Sequence, residues 1–261
     1  MKRIISAVLI LAVLCICLVS CADKTDISNL TGKYEFLSTK LENTLELQKN
    51  VFSAKILSVE EKDALITKYN IDITTYTVFT VEITESFDSV TPLGRATVYW
   101  LGGADEFLAR VNLVKNETYI LDAEPWVYDG GIVYLLPQFN ESFPKIDSAS
   151  RVTLIEDGEN KDCGNLDDYK KSYVDAKKSL EQKQEGFFSN EKILSRYKEM
   201  FSVIKEKNDK DWTSGFDYKW TPSDKLIEKT RAYTDKVCNY IDSLSEKETL
   251  TAEDFTNIFR Q

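Results

Sequence analysis

Residues 75–83 read TYTVFTVEI and show the two-residue alternation that is typical of a β-strand. β-Branched and aromatic residues, which are enriched in strands, fill every position except Glu82. The alternation separates two faces: Tyr76, Val78 and Thr80 on one, and Thr77, Phe79, Val81 and Ile83 on the other. The stretch therefore predicts a strand, and it lies inside a β-rich region that runs from Val51 to Pro137.

Four more strands are predicted around it, at residues 52–59, 96–101, 118–123 and 132–136. The turn Asp129-Gly130-Gly131 introduces the fifth, and Ala104–Leu113 is long enough for a helical turn or two between the third and fourth. This layout, with VNLVKNETYIL at 111–121, resembles the OB-like domains of secreted bacterial proteins. The resemblance implies a small antiparallel barrel of about five strands. Another small antiparallel sheet or a sandwich is the alternative.

Helical patterns flank this region. Before it, Leu30, Tyr34, Leu37, Leu41 and Leu45 form an apolar stripe between Asn29 and Asn50. After it, the polar segment DGENKDCGN at 157–165 is interpreted as a connector, and amphipathic helices follow. Their predicted stripes are Leu166, Tyr169, Tyr173, Ala176 and Leu180; Ile193, Tyr197, Met200, Phe201 and Ile204; Leu226, Tyr233, Val237, Tyr240, Ile241 and Leu244; Phe255, Ile258 and Phe259.

Two helix starts are predicted from capping residues. Thr221-Pro222-Ser223-Asp224 reads as a capping box with proline in the first helical position, and Thr251 starts the last helix. The chain is thus predicted to be α+β, with an OB-like β-barrel, an N-terminal helix and a C-terminal helical region. We divide it into residues 1–20 (signal peptide), 21–28 (tether), 29–150 (OB-like domain with its leading helix) and 151–261 (helical region).

The N-terminus has the pattern of a secretory signal: Lys2-Arg3, an apolar run over Ile4–Val19, then Ser20 and Cys21. Leu18-Val19-Ser20-Cys21 resembles the lipobox of bacterial lipoproteins. The resemblance implies cleavage before Cys21, lipid attachment to its thiol, and membrane anchoring outside the cytoplasm. The tether behind Cys21 reaches roughly 25 Å, which would keep the folded part near the membrane. An uncleaved anchor, or a plain signal with a chance cysteine, is the alternative.

Composition excludes several kinds of chemistry. The chain contains no histidine, so it has no Ser-His-Asp or Cys-His arrangement and no histidine metal ligand. A formal net charge of −10 is poorly suited to nucleic acid, whose binding depends on lysine and arginine. The segment Asp157–Asp168 does not fit a calcium loop, because Lys161 and Asp162 occupy the fifth and sixth positions. We expect no catalytic residues, no metal and no cofactor.

Cys163 and Cys238 are the two cysteines that follow Cys21. Outside the cytoplasm they have the chemistry to form a disulfide. Cys238 also lies beside an apolar helix face, where a reduced cysteine behaves as a small hydrophobic residue. Both alternatives stay open from the sequence.

Aromatic residues in predicted loops are the candidate ligand contacts. The first group is Trp212, Phe216, Tyr218 and Trp220, in a non-helical segment, and the second is Trp126 and Tyr128, in the predicted loop Glu124–Asp129. Aromatic rings in loops give a large contact area at a low entropy cost. The alternative for the first group is packing between helices, and for the second it is packing within a hairpin.

The sequence therefore predicts a membrane-anchored, non-enzymatic module at the cell surface that binds a protein, peptide or glycan. A lipid-anchored hydrolase that uses paired carboxylates is the first alternative, and it would require acidic residues that converge in one cleft. A barrel that inhibits a protease, similar to the netrin-like inhibitors, is the second. The N-terminus argues against it, since those inhibitors have a disulfide-rich N-terminus.

Overall fold

The computed structural model describes residues 41–46, 49–63, 75–88, 90–101, 113–136, 143–156, 159–206 and 223–261. The fold is α+β, with one eight-stranded sheet and helices at both ends. The strands are β1 (Asn50–Asp63), β2 (Thr75–Ser86), β3 (Gly94–Leu101), β4 (Thr118–Tyr128), β5 (Gly131–Leu135), β6 (Lys145–Ile146), β7 (Arg151–Glu156) and β8 (Glu159–Asn165). The helices are α1 (41–46), α2 (Leu166–Lys183), α3 (Asn190–Glu206), α4 (Asp224–Ser245) and α5 (Ala252–Ile258).

Five of the strands close a ring. The sheet order is β1-β2-β3-β5-β4-β6-β7-β8, and β1 pairs a second time, with β4. β1 pairs along both of its edges: residues 52–63 pair with β2 on one edge, and residues 50–55 pair with β4 on the other. The β3–β5 pair is parallel, whereas the other pairs in the ring are antiparallel.

Each face of β2 carries buried residues, and the two faces pack in different layers. Phe79, Val81 and Ile83 belong to the cluster that also contains Phe52, Ala54, Ile56, Leu121 and Tyr134 from other strands of the ring. Tyr76 and Val78, on the opposite face, pack under the C-terminal helices. The alternation predicted for residues 75–83 is therefore confirmed, because each face meets its own apolar layer.

Two helical layers cover the sheet. α3, α4 and α5 pack on β2, β3, β4 and β5 through a cluster that includes Leu194, Phe201, Val237, Ile241 and Ile258. α1 and α2 pack on β1, β4 and β7 through Leu41, Leu45, Tyr169, Tyr173, Ala176 and Leu180. The predicted stripe of α2 is confirmed for these last four residues. For the N-terminal helix, only Leu41 and Leu45 lie within the described residues.

The predicted connector at 157–165 is wrong, because residues 159–165 form β8 and pair with β7. The reason is that an edge strand needs only backbone hydrogen bonds, so its side chains show no apolar alternation.

α4 also begins at Asp224, with Ser223 rather than Thr221 as its N-cap, since the Ser223 hydroxyl accepts from the Leu226 amide. Thr221, Pro222 and residues 104–112 lie outside the described residues.

The start of α5 follows its prediction. Thr251 caps it, with the Asp254 carboxylate completing the capping box.

Among the helices that the structure describes, none is both long and apolar enough to span a bilayer.

Candidate functional site

Trp126 and Tyr128 lie in β4 and not in a loop. Residues 124–128 pair with β5, which leaves only Asp129 and Gly130 in the turn, with φ of 50° and 76°. Positive φ at both central residues is the geometry of a tight hairpin turn, for which Asp-Gly is well suited. The prediction of a loop over Glu124–Asp129 is therefore wrong.

The rings of Trp126 and Tyr128 are buried, with 3% and 7% of their surface exposed. α4 holds the turn beside them: the Asp129 amide donates to Thr230 Oγ1 at 3.2 Å, and Lys229 Nζ lies 3.1 Å from Asp129 Oδ1. A ligand would reach these two rings only if the helical layer moved away from the sheet.

The other predicted residues divide into two groups. Cys21, Trp212, Phe216, Tyr218 and Trp220 lie outside the described residues, so their roles remain predictions. Cys163 and Cys238 pack in different hydrophobic clusters, and the structure places no disulfide between them.

An open groove of about 760 Å³ crosses the outer side of β1 and β2. Six hydroxyl side chains line it: Ser53, Thr84, Ser86, Thr91, Thr118 and Thr256. Its apolar lining comes from Pro92, Leu93, Ile146 and Leu166, and its charged lining from Glu85 and Arg260. Groove walls thus come from both helical layers, since Leu166 starts α2 and Thr256 belongs to α5.

The groove is close to electrically neutral. Its lining contains one carboxylate, Glu85, and one guanidinium, Arg260. Glu85 also pairs with Lys170, whose Nζ lies 2.7 Å from Glu85 Oε1. Ser53 and Thr84 share a hydrogen bond of 2.9 Å, which holds the floor of the groove across β1 and β2. Leu93 is 61% exposed, the largest exposed fraction among the large hydrophobic residues that the structure describes. The groove therefore offers hydroxyl groups beside exposed aliphatic surface.

The connection between β2 and β3 forms one wall and is held by Asp88. Its Oδ1 accepts from Ser86 Oγ at 2.6 Å and from the amides of Val90 and Thr91 at 2.9 Å each. Its Oδ2 accepts from Thr91 Oγ1 at 2.8 Å, and Thr91 Oγ1 in turn accepts from Asn50 Nδ2 at 2.7 Å. This chain of bonds fixes the segment that leads to Leu93.

A second, smaller cavity of about 90 Å³ lies on the other side of that connection. We call it the cationic pocket, and its lining residues are Leu45, Lys49, Asn50, Asp88, Val90, Tyr173, Lys177, Phe188, Ile193, Arg196 and Tyr197. Burial, with the nearby Asp88 adding to it, raises the pKa of Tyr173 and of Tyr197. Both phenols therefore stay protonated at neutral pH and can donate hydrogen bonds.

Carboxylates with a shifted pKa lie apart from one another. Hydrogen bonds from lysine lower the pKa of Glu42, Glu117 and Asp254, and backbone amides lower the pKa of Glu181. A general acid needs a raised pKa instead. Within the ranges described, no group of three His, Cys, Asp or Glu has the geometry to hold a metal ion.

Sequence patterns do not reveal either cavity. Serine and threonine on a strand are unremarkable, and the six hydroxyls of the groove come from segments spread between residues 53 and 256. The cations of the pocket likewise come from the residue before β1, from α2 and from α3. Only the ring of strands and the two helical layers bring these residues together.

The chain was compared with protein-family models, with curated proteins and with solved structures, and none of the three comparisons gave a match.

Proposed function

We propose that this chain is a lipid-anchored, non-enzymatic binding module on the outer face of a bacterial membrane. In this proposal an OB-like barrel presents the groove, and the groove binds an extended peptide segment of a partner protein. The lipobox at Leu18–Cys21 supports the location. The ring order β1-β2-β3-β5-β4, closed by β1–β4, supports the OB-like assignment.

The groove is the observation that supports binding. Its volume of about 760 Å³ falls in the range of roughly 300–1,000 Å³ that is usual for ligand sites. It combines a few polar groups with apolar surface, as such sites do. OB barrels often bind ligands on the outer face of the second and third strands. Here the part of that face that carries Tyr76, Val78 and Tyr99 is covered by α3, α4 and α5. The uncovered groove is therefore the better candidate.

A peptide fits this lining better than a charged ligand. The hydroxyls of the exposed Thr84 and the half-buried Thr118 can pair with main-chain amide and carbonyl groups. Leu93 and Ile146 can contact apolar side chains of the ligand. Aromatic rings, which give sugar-binding surfaces their flat contact area, do not line the groove among the residues that the structure describes.

The test is to select peptides from a displayed library and to compare their affinities for three proteins. These are the wild type, Leu93→Arg, and the control Val174→Arg, which changes an apolar residue on α2 that is 47% exposed and does not line the groove. Burying most of Leu93 would contribute about 1–2 kcal/mol, so Leu93→Arg should weaken binding about 5- to 30-fold. Selected peptides that bind all three proteins equally, or a library that yields no binding peptide, would refute the proposal.

The anchor has its own test. Incorporation of a labelled fatty acid should depend on the thiol at Cys21, so Cys21→Ala should abolish labelling while the protein is still made. Labelling that persists in Cys21→Ala would rule out the anchor at this position.

A further inference from the structure

The cationic pocket is a second site, separate from the groove. It has three cations, Lys49, Lys177 and Arg196, and one carboxylate, Asp88. The chain as a whole has 33 basic and 43 acidic residues, so this local excess of positive charge is opposite to the average. A concentration of like charge in a partly enclosed space attracts a ligand of the opposite sign.

Asp88 is the one carboxylate in this lining, and its two oxygens accept four hydrogen bonds, all from neutral groups of Ser86, Val90 and Thr91. It keeps its own charge, so the three cations of the lining outnumber one carboxylate. Lys49 Nζ has a distant partner, Asp122 Oδ2, at 3.5 Å. Lys177 and Arg196 form no ion pair with any residue in the described part of the chain. Glu181 does not line the pocket, but its charge acts on both cations. The Glu181 oxygens accept hydrogen bonds from the Gly186 and Phe188 amides and form no salt bridge with either cation.

Aromatic rings and a backbone carbonyl hold these two cations in place. The Arg196 guanidinium lies 3.7 Å from the centre of the Phe187 ring, and its Nη2 donates to the Phe187 carbonyl at 2.5 Å. Lys177 Nζ lies 4.8 Å from the centre of the Phe188 ring. One hydrogen bond leaves most of the five N–H groups of the guanidinium available. A preorganised arginine of this kind suits two parallel hydrogen bonds to a planar anion.

Tyr173 and Tyr197 add phenol donors from α2 and α3. Since burial keeps both phenols protonated, they can donate to an anion without adding charge. The volume of about 90 Å³ is below that of a site for a whole drug-sized ligand. The pocket is large enough for one small charged group of a ligand. The rest of that ligand would extend out of the pocket past the exposed Lys177.

We propose that the cationic pocket binds the carboxylate of a small organic acid, through Arg196 and Lys177 and the phenols of Tyr173 and Tyr197. The carboxylate forms paired hydrogen bonds with the guanidinium, and Lys177 supplies a second charge at the mouth. The proposal does not depend on the groove or on its peptide ligand, since no residue of this set lines the groove.

The test uses succinate as the probe, with the full chain and with ionic strength kept constant by sodium chloride. Binding to the folded state raises the unfolding temperature in a saturable way. The variants are Arg196→Gln, Lys177→Gln and the control Lys198→Gln, which removes an exposed lysine of α3 that pairs with Asp242 and does not line the pocket. Lys177→Gln keeps the test valid if Arg196→Gln does not fold, because Lys177 is exposed.

Wild type and Lys198→Gln should bind succinate equally. Lys177→Gln and Arg196→Gln should bind it about tenfold more weakly or worse, as expected for the loss of one charge-assisted interaction. The proposal is overturned if all four proteins respond alike, or if sodium chloride alone gives the same shift. It is also overturned if inorganic phosphate binds and succinate does not, because the pocket would then recognise a phosphoryl group.

Discussion

Replacing Thr91 by valine should lower the free energy of unfolding, because its hydroxyl links the buried amide of Asn50 to the half-buried carboxylate of Asp88. Thr91 Oγ1 accepts from Asn50 Nδ2 at 2.7 Å and donates to Asp88 Oδ2 at 2.8 Å. Valine has the same shape but neither bond. Asn50 is 2% exposed, so water cannot replace the lost partner of its amide.

The cost can be worked out from these two bonds. A buried donor left without a partner costs about 1–3 kcal/mol. Asp88 still accepts hydrogen bonds from Ser86 Oγ and from two amides. The loss of its bond to Thr91 therefore contributes an amount at the low end of this range. The free energy of unfolding should therefore fall by about 2–3 kcal/mol, and the unfolding temperature by about 4–12 °C.

The assay is urea unfolding followed by tryptophan fluorescence, with Thr97→Val as the matched control. Thr97 is a half-buried residue of β3, and its side chain makes no hydrogen bond within the ranges that the structure describes. Thr97→Val should change the free energy of unfolding by less than about 0.5 kcal/mol. If Thr91→Val lowers the free energy of unfolding by no more than this control, the hydrogen bonds that run from Asn50 through Thr91 to Asp88 do not stabilise the connection between β2 and β3.

Two further predictions concern stability. Gly164 has φ of +82°, and an added Cβ would lie 2.8 Å from Asp168 Oδ2, an oxygen of the capping box of α2. Gly164→Ala should therefore lower the free energy of unfolding by about 1–3 kcal/mol. Gly131→Ala should lower it less, because its added Cβ meets no atom within 4 Å. Equal losses for the two variants in urea unfolding would refute this prediction. A hydrogen bond from Lys145 lowers the pKa of Glu117 below its usual 4.5. The folded protein then binds fewer protons than the unfolded chain, so this contribution is present above pH 4.5 and is lost as the pH falls below it. Glu117→Gln should flatten the decline of the urea midpoint in that window, and an unchanged slope would contradict the assignment.

The sequence predicts those elements whose side chains face an apolar layer at a regular spacing. Residues 75–83 alternate because one face contacts the interior of the ring and the other contacts the C-terminal helices. The stripe of α2 repeats every three or four residues for the same reason, since Tyr169, Tyr173, Ala176 and Leu180 all pack on the sheet.

The two wrong predictions, a connector at 157–165 and a loop over Glu124–Asp129, have a common physical cause. β8 is held by backbone pairing with β7, and backbone groups are the same in every residue. β4 continues through Pro125, a residue that argues against a strand in the sequence but is tolerated in this pair with Tyr134 of β5. Pairing with a neighbouring strand determines the structure of both segments, and side-chain patterns in the sequence do not indicate that pairing.

The candidate sites are the least predictable part. Leu93 and Arg196 are ordinary residues in sequence, and each acquires its environment from elements distant in the chain. The sequence predicts Trp126 and Tyr128 as loop aromatics only because it predicts a loop over Glu124–Asp129. Burial under α4 followed from the fold and not from their spacing.

The most direct test of the central claim is photo-crosslinking in intact cells from a reactive amino acid placed at position 93 or position 174. Both positions are exposed, but only Leu93 lines the groove. The proposed function predicts a protease-sensitive protein adduct from position 93 and none from position 174. Equal adducts from both positions, or no adduct from position 93, would contradict a peptide-binding groove on β1 and β2.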